Sequence, residues 1–209
     1  MSKPSDIRAH IEECFPEIEQ VSDHAVREKI IDAFQMTLER SSWDDLREVP
    51  NLFITDKPMG NFINHCRTVV QLCQESVRVM KSFGHEIDEQ LVLVGALLHD
   101  LGKIVEFGMK DGVPVANERV RHSMLGAHIA LSCGLPDDVA HIIMLHSWEG
   151  EIELPPGHTI MGGNVINWRT KEAMVVSYCD LLAAKILRRE WHEERGTAPS
   201  IEPGVPFNA

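Results

Sequence analysis

The chain has 209 residues, of which 44% are hydrophobic and 25% are charged. This balance is typical of a globular domain and excludes a chain that is disordered over its whole length. No apolar run reaches the ~18–20 residues of a membrane-spanning helix. The 32 acidic residues outnumber the 20 basic ones and give a net charge of −12, so we expect no binding to long nucleic acids and no membrane contact.

Helical periodicity dominates the chain, and turn-forming residues separate the periodic segments. The apolar spacing predicts helices over residues 5–14, 22–40, 61–83, 88–101, 122–133, 136–146 and 170–194. Prolines and glycines predict a loop over residues 154–168, and an extended pair near residues 113–115 is too short to define a sheet. We therefore predict an all-α fold: a helical bundle over residues 51–195 with an N-terminal helical extension over residues 1–50. The tail at residues 196–209 is expected to be poorly ordered.

The five cysteines lie far apart in the sequence and form no CxxC pair. This pattern is typical of reduced thiols and not of a disulfide scaffold or a zinc knuckle. The first residues have no apolar stretch behind their basic residue, so they do not have the pattern of a secretory signal. Together these features predict a cytoplasmic protein.

A histidine–aspartate pair, His99 and Asp100, stands where an apolar helix ends before a glycine. The preceding residues, LVLVGALL, predict that this helix is buried, and Lys103 follows the pair closely. Imidazole nitrogens and carboxylate oxygens are ligands of Zn, Fe, Mn and similar divalent ions. Because His-Asp dipeptides are common on protein surfaces, the pair alone is weak support for a metal site.

Four further potential ligands fall on the apolar faces of other predicted helices. They are His65, His122, His146 and Asp180. A carboxylate such as that of Asp180 is costly to bury unless a positive charge meets it, and no lysine or arginine lies in the preceding helical turn. The sequence therefore predicts that these helices direct their ligands to a metal ion in the core.

The order of these residues, H…HD…D on helices, resembles the HD-domain superfamily of metal-dependent phosphohydrolases, and the similarity runs over residues 61–187. The resemblance implies that the bundle is an HD-domain fold. It also implies one ion held by His65, His99, Asp100 and Asp180. The segments HSMLGAHIA and IIMLHS look like the two additional histidine elements of the binuclear branch. They imply a second ion at His122 and His146, bridged to the first by Asp100.

The chemistry that the resemblance implies is hydrolysis by a metal-activated water. Two divalent ions (Fe, Mn, Mg, Ni or Zn) would lower the pKa of a water for attack on phosphorus. Asp100 then has a catalytic role as the bridging ligand. Lys103 is suited to bind a phosphate oxygen, which gives it both a catalytic and a substrate-binding role. Arg121, which precedes His122, is a further candidate for substrate binding.

We therefore expect a metal-dependent phosphohydrolase that cleaves a phosphomonoester or phosphodiester of a small molecule or nucleotide. The same ligands serve di-iron oxygenases of the superfamily, such as myo-inositol oxygenase, so this alternative stays open. A third alternative is an HD-type exonuclease, although such enzymes usually carry a separate nucleic-acid-binding domain. A non-enzymatic regulatory HD module is disfavoured because all six ligands are present. The oligomeric state is left open.

The remaining histidines fall outside this ligand set. His128, within two turns of His122, is expected to pack in the core, whereas His141 is expected to face water. Five others are expected at the surface: His10, His24, His85, His158 and His192. The mixed charges of the last helix, among them Lys185 and Arg188, are expected to form a solvated face.

Overall fold

A computed structural model of the chain describes residues 6–54, 57–116, 119–147 and 170–197. Within these ranges the fold consists of α-helices, two short 3₁₀-helices (Pro16–Gln20 and Leu46–Glu48) and two short β-hairpins. The helices are α1 (Ile7–Cys14), α2 (His24–Arg40), α3 (Phe62–Ser82), α4 (Glu89–Leu98), α5 (Lys103–Glu106), α6 (His122–Ser132), α7 (Asp137–Leu145) and α8 (Lys171–Glu194). The strands are β1 (Pro50–Ile54), β2 (Lys57–Asn61), β3 (Phe107–Lys110) and β4 (Val113–Ala116). The predicted helical bundle is confirmed.

The predicted helices agree with the observed ones to within two residues, except at α4. The helix predicted over residues 88–101 ends at Leu98, and a turn leads from there into the short helix α5. The hairpin of β1 and β2, with Pro50 opposite Asn61, is absent from the predicted elements. The predicted extended pair near residues 113–115 is β4, which pairs antiparallel with β3. The predicted loop over residues 154–168 lies outside the described residues, as does the tail from residue 198 onward.

Polar side chains cap the starts of five helices. A side-chain oxygen of the preceding residue accepts a hydrogen bond from a backbone N–H of the first turn in α1, α2, α3, α4 and α8. These caps are Asp6, Asp23, Asn61, Asp88 and Thr170. Each such cap stabilises its helix by about 1 kcal/mol.

The N-terminal helices share the core of the bundle. Phe15, which follows α1, stacks on Phe34 of α2 with ring centroids 4.7 Å apart. Its ring also meets the edge of Phe62, the first residue of α3, at 6.1 Å. All three rings are fully buried. The segment predicted as an extension is thus packed directly against the bundle. Among the described residues, every helix is too short or too polar to span a membrane.

Helix α4 forms the centre of the bundle. All its residues from Val92 to Leu98 are buried, and it packs against α3, α7 and α8. A helix that is apolar on every side is stable only when other elements surround it. This position places the next two residues, His99 and Asp100, in the interior of the protein, where neither side chain is exposed.

Gly102 allows the turn after α4 to approach the first turn of α6. A Cβ atom at Gly102 would lie 2.0 Å from the backbone oxygen of His122 and 2.8 Å from the backbone nitrogen of Gly126. Because the blocking atoms belong to the backbone, no side-chain rotation can relieve the clash. The close approach therefore holds the turn with His99 and Asp100 against the start of α6.

We expect Gly102→Ala to lower the free energy of unfolding by about 3 kcal/mol, because the turn and α6 must separate to admit the methyl group. Denaturant unfolding measures this loss. Gly112→Ala is the control, since that glycine has a positive φ of 78° but no atom within 4 Å of the added Cβ. In the control, the free energy of unfolding should fall by only about 1–2 kcal/mol, which is the cost of a positive φ for a residue that has a Cβ atom. Equal losses in the two variants would contradict the packing role of Gly102.

Candidate metal centre

The structure brings the six predicted ligands together from five parts of the fold. His65 lies on α3, His99 and Asp100 follow α4, His122 begins α6, His146 follows α7 and Asp180 lies on α8. Their donor atoms form two groups, and within each group the atoms lie within 4.8 Å of one another. One group consists of His65, His99, Asp100 and Asp180, and the other of Asp100, His122 and His146. Asp100 therefore belongs to both groups.

The two carboxylate oxygens of Asp100 face different groups. Its Oδ2 atom lies 3.2 Å from Nε2 of His65 and 3.4 Å from Nε2 of His99. Its Oδ1 atom lies 3.6 Å from Nε2 of His122 and 3.3 Å from Nε2 of His146. Within the described part of the chain, this buried Oδ1 has no hydrogen-bond partner of acceptable geometry. A buried carboxylate oxygen is costly without a donor or cation, so the arrangement fits a cation between Oδ1, His122 and His146.

The tautomers of three histidines also fit metal binding. Nδ1 of His99 lies 2.8 Å from a backbone carbonyl oxygen, and Nδ1 of His146 lies 2.7 Å from another. Nδ1 of His122 lies 2.8 Å from the carboxylate of Glu106. Because carbonyl and carboxylate oxygens accept hydrogen bonds, each Nδ1–H is the donor. Each ring therefore turns its Nε2 atom toward Asp100. Metal-binding histidines are commonly held in this way, with Nδ1–H donating a hydrogen bond and Nε2 left for the metal.

His65 and Asp180 complete the first group from α3 and α8, two helices that pack against each other. Nε2 of His65 lies 2.9 Å from Oδ1 of Asp180 and 3.4 Å from Nε2 of His99. Burial would raise the pKa of Asp180, but its hydrogen bond with His65 and the nearby His99 lower this pKa to about 2. Burial would lower the pKa of His65, but its hydrogen bonds to Asp100 and Asp180 raise it. The site thus favours positive charge between the two carboxylates, and a divalent ion would supply it.

Lys103 contacts the centre directly. Its ammonium group donates hydrogen bonds to Oδ2 of Asp100 at 2.6 Å and to Oδ1 of Asn51 at 3.0 Å. Burial disfavours the charged forms of both Lys103 and Asp100. The proximity of Asp100 and Asp180 nevertheless raises the pKa of Lys103, while Lys103 and His99 hold the pKa of Asp100 well below its usual range. Lys103 is therefore a buried cation that fixes the carboxylate shared by the two groups.

Arg121 lies beside His122, as the sequence requires, but its environment differs from that of Lys103. Its side chain is 53% exposed, and its Nε atom lies 4.0 Å from Oε1 of Glu106. Of the two cations predicted to bind substrate, Lys103 lines the cavity described below and Arg121 does not line its described part. A substrate role for Arg121 stays a prediction.

A cavity of about 360 Å³ lies over the centre. Its wall includes Asp180 and His146 from the two ligand groups, together with Lys103. Other residues of α8 continue this wall, among them Lys185 and Arg188. These two side chains are exposed, as predicted for the last helix, but they also border the cavity. A small molecule in this cavity would contact the ligands and the cations together.

Sequence reasoning missed two residues that support the centre. Glu106 is buried and accepts the hydrogen bond from Nδ1 of His122, and Asn51 on β1 is buried beside Lys103. A signal for Glu106 exists, because its carboxylate stands in the apolar stretch Ile104-Val105-Glu106-Phe107. Asn51 offers no such signal, since asparagine is common near turns and the hairpin itself was not predicted.

Glu106→Gln is expected to weaken metal binding at the group of Asp100, His122 and His146 by roughly 10- to 100-fold. The amide is a weaker acceptor than the carboxylate, so it holds the tautomer and orientation of His122 less firmly. Isothermal titration calorimetry with the metal ion measures the change in affinity. Glu75→Gln on the exposed face of α3, where Glu75 pairs only with Arg78 among the described residues, serves as the control. Unchanged affinity in Glu106→Gln would show that Glu106 does not position His122.

Two predictions for the other histidines are wrong. His10, predicted at the surface, is 6% exposed, and its Nε2 accepts a hydrogen bond from the backbone N–H of Leu46. His128, predicted to pack in the core, is exposed. Its apolar neighbours on the helix, Met124 and Leu131, are 49% and 44% exposed, so this stripe of α6 faces outward. His141, predicted to face water, is half-buried.

Comparison with known proteins places the chain in a family. The HD domain matches residues 62–185, more than half of the chain, and the chain belongs to this family. The chain is also 31% identical over 103 residues to the uncharacterized protein MJ0778 of Methanocaldococcus jannaschii. That match covers 46% of the chain and 54% of the relative, so it spans about half of each protein. No solved structure matches the chain significantly.

Proposed function

We propose that this HD-domain protein is a phosphohydrolase that uses two divalent metal ions. Its substrate is a phosphomonoester or phosphodiester of a small molecule or nucleotide. The observation that carries the proposal is the position of Asp100, whose two oxygens face two separate groups of ligands. A carboxylate shared in this way is suited to bridge a pair of ions. Membership of the HD family, whose members are generally metal-dependent hydrolases, supports the same chemistry.

Two bound ions would supply a water of lowered pKa and would neutralise charge on a phosphoryl oxygen. The residues of the chain provide the positions for this chemistry. Asp100 holds the two halves of the centre together, and the buried Lys103 holds Asp100 in place. Because Lys103 also borders the cavity, its positive charge stabilises a phosphoryl group that enters there. Burial of the ligands limits the water that competes for these contacts.

A small substrate fits this site better than a long nucleic acid. The cavity of about 360 Å³ has the size of a small-ligand site. The net charge of −12 repels an extended polyphosphate backbone, whereas the cations at the cavity act locally. We therefore favour a compact phosphate ester over the substrate of an exonuclease.

Phosphate release from a panel of phosphomonoesters, nucleotides and cyclic diesters tests the proposal. The protein is assayed with added Mn²⁺ or Fe²⁺, once in air and once without oxygen. With Mn²⁺, which air does not readily oxidise at neutral pH, we expect release of phosphate, or of a phosphomonoester from a diester, at equal rates in both atmospheres. If no compound is cleaved while oxygen is consumed with a polyol or a phosphonate, the protein is a di-iron oxygenase and the proposal fails.

A further inference from the structure

Two cations of α8, Lys185 and Arg188, border the cavity on the same wall as the ligand Asp180. They follow Asp180 by five and eight residues. With a rise of 1.5 Å per residue, their backbone positions lie about 7.5 Å and about 12 Å further along the helix. The two side chains therefore border the cavity from backbone positions further along α8 than that of Asp180.

Lys185 and Arg188 have no ion pair or hydrogen bond with any other residue of the described ranges. Their neighbour Arg189 behaves differently, because its guanidinium pairs with Glu193 one turn later. Acidic residues outnumber basic ones in this chain by 32 to 20, so pairing partners for surface cations are abundant. Two cations on one cavity wall, both without a partner in the described part of the chain, thus form a local positive patch in a negatively charged protein.

We propose that Lys185 and Arg188 form a subsite for a second phosphate group of the substrate. The substrate would then be a small molecule with two phosphate groups, one at the metal centre and the other held by these two side chains. A guanidinium and an ammonium group together match the charge of a phosphate dianion. This inference rests on the proposed function, because the phosphohydrolase reaction defines which phosphate lies at the centre.

The cavity supports this substrate class over one with a single phosphate. Lys103 and the two ions that the ligand groups would hold are sufficient to supply the positive charge that a reacting phosphoryl group needs. Lys185 and Arg188 lie further along α8 than Asp180, so their charges are available to another anion. Ser177, which is buried one turn before Asp180, adds a hydroxyl group to the same wall. The arrangement favours a bisphosphorylated sugar or nucleotide over a simple monoester.

Alkane-α,ω-bisphosphonates with one to six carbons between their phosphonate groups test the subsite directly. Each is compared by calorimetry with the alkylphosphonate of the same carbon number, using the metal-loaded full chain without oxygen so that no turnover occurs. We expect at least one chain length to bind roughly 10- to 100-fold more tightly than its monophosphonate, as charge-assisted contacts to the second group would give. The preferred length reports the distance between the two phosphate positions.

The double variant Lys185→Met/Arg188→Met should lose this preference, while monophosphonate binding changes little. Arg189→Met, at the neighbouring paired arginine, should keep it. The inference is overturned if no length is preferred, if the preference survives in the double variant, or if Arg189→Met loses it equally. If the preference follows these expectations and no phosphoester is hydrolysed, the subsite stands and the proposed function fails. If phosphoesters are hydrolysed without any bisphosphonate preference, the function stands and the subsite fails.

Discussion

Asp100→Asn is expected to remove both metal ions and to reduce phosphoester hydrolysis by at least ~100-fold. Loss of a group that merely orients a metal ligand already costs roughly 10- to 100-fold in affinity or activity, and Asp100 contacts both ligand groups itself. The variant also leaves the buried Lys103 without its carboxylate partner, which should lower the free energy of unfolding by about 3 kcal/mol. Metal analysis of the purified variant, with circular dichroism to verify the helices, measures these effects.

The matched control for this variant is Asp32→Asn, which makes the same chemical change at an exposed position of α2. It should keep the metal content, the hydrolytic activity and the stability of the original protein. A full metal complement in folded Asp100→Asn would mean that the carboxylate does not join the two ligand groups. The binuclear arrangement would then have no support from this residue.

His146→Ala is expected to reduce the metal content from about two ions per chain to about one. His146 belongs to the group that includes Oδ1 of Asp100, and its Nε2 atom lies 3.3 Å from that oxygen. The group that contains His65 and Asp180 remains complete in this variant. Hydrolysis should fall by orders of magnitude, because a clamp of two ions on the water and the phosphoryl oxygen would be lost. Metal analysis and phosphate release measure the two effects.

Two further variants complete this comparison. Asp180→Ala should remove the other ion and leave the one at His122 and His146. His128→Ala, at an exposed histidine of α6, should change neither metal content nor rate. Loss of both ions from His146→Ala would indicate a single interdependent site, and an unchanged count would exclude His146 as a ligand.

Helical periodicity was sufficient to predict the helical bundle. Periodicity together with the family resemblance also selected the six residues whose donor atoms the structure brings together. His65 and Asp180 lie on the apolar faces of α3 and α8, where a polar group stands out. The apolar run before His99 predicts a buried helix, and burial of the pair follows from it. Each of these inferences uses residues that are close together in the chain.

Features that depend on contacts between distant segments were not predictable in the same way. Glu106 supports His122 across a gap of 16 residues, and Lys103 meets Asn51 across 52. His10 is buried against the segment around Leu46, whose backbone N–H donates a hydrogen bond to Nε2 of His10. His128 shows the opposite error, since the apolar stripe of Met124 and Leu131 suggests packing, whereas these side chains are exposed. Periodicity identifies a face of a helix but not what lies against it.

The metal content of the original protein tests the central claim most directly. The chain is purified without oxygen, saturated with the metal that it retains, freed of unbound ions and measured by elemental analysis against protein concentration. We predict two ions per chain, held by the groups that share Asp100. One ion per chain under these saturating conditions, or none, would contradict the binuclear centre on which the proposed hydrolysis depends.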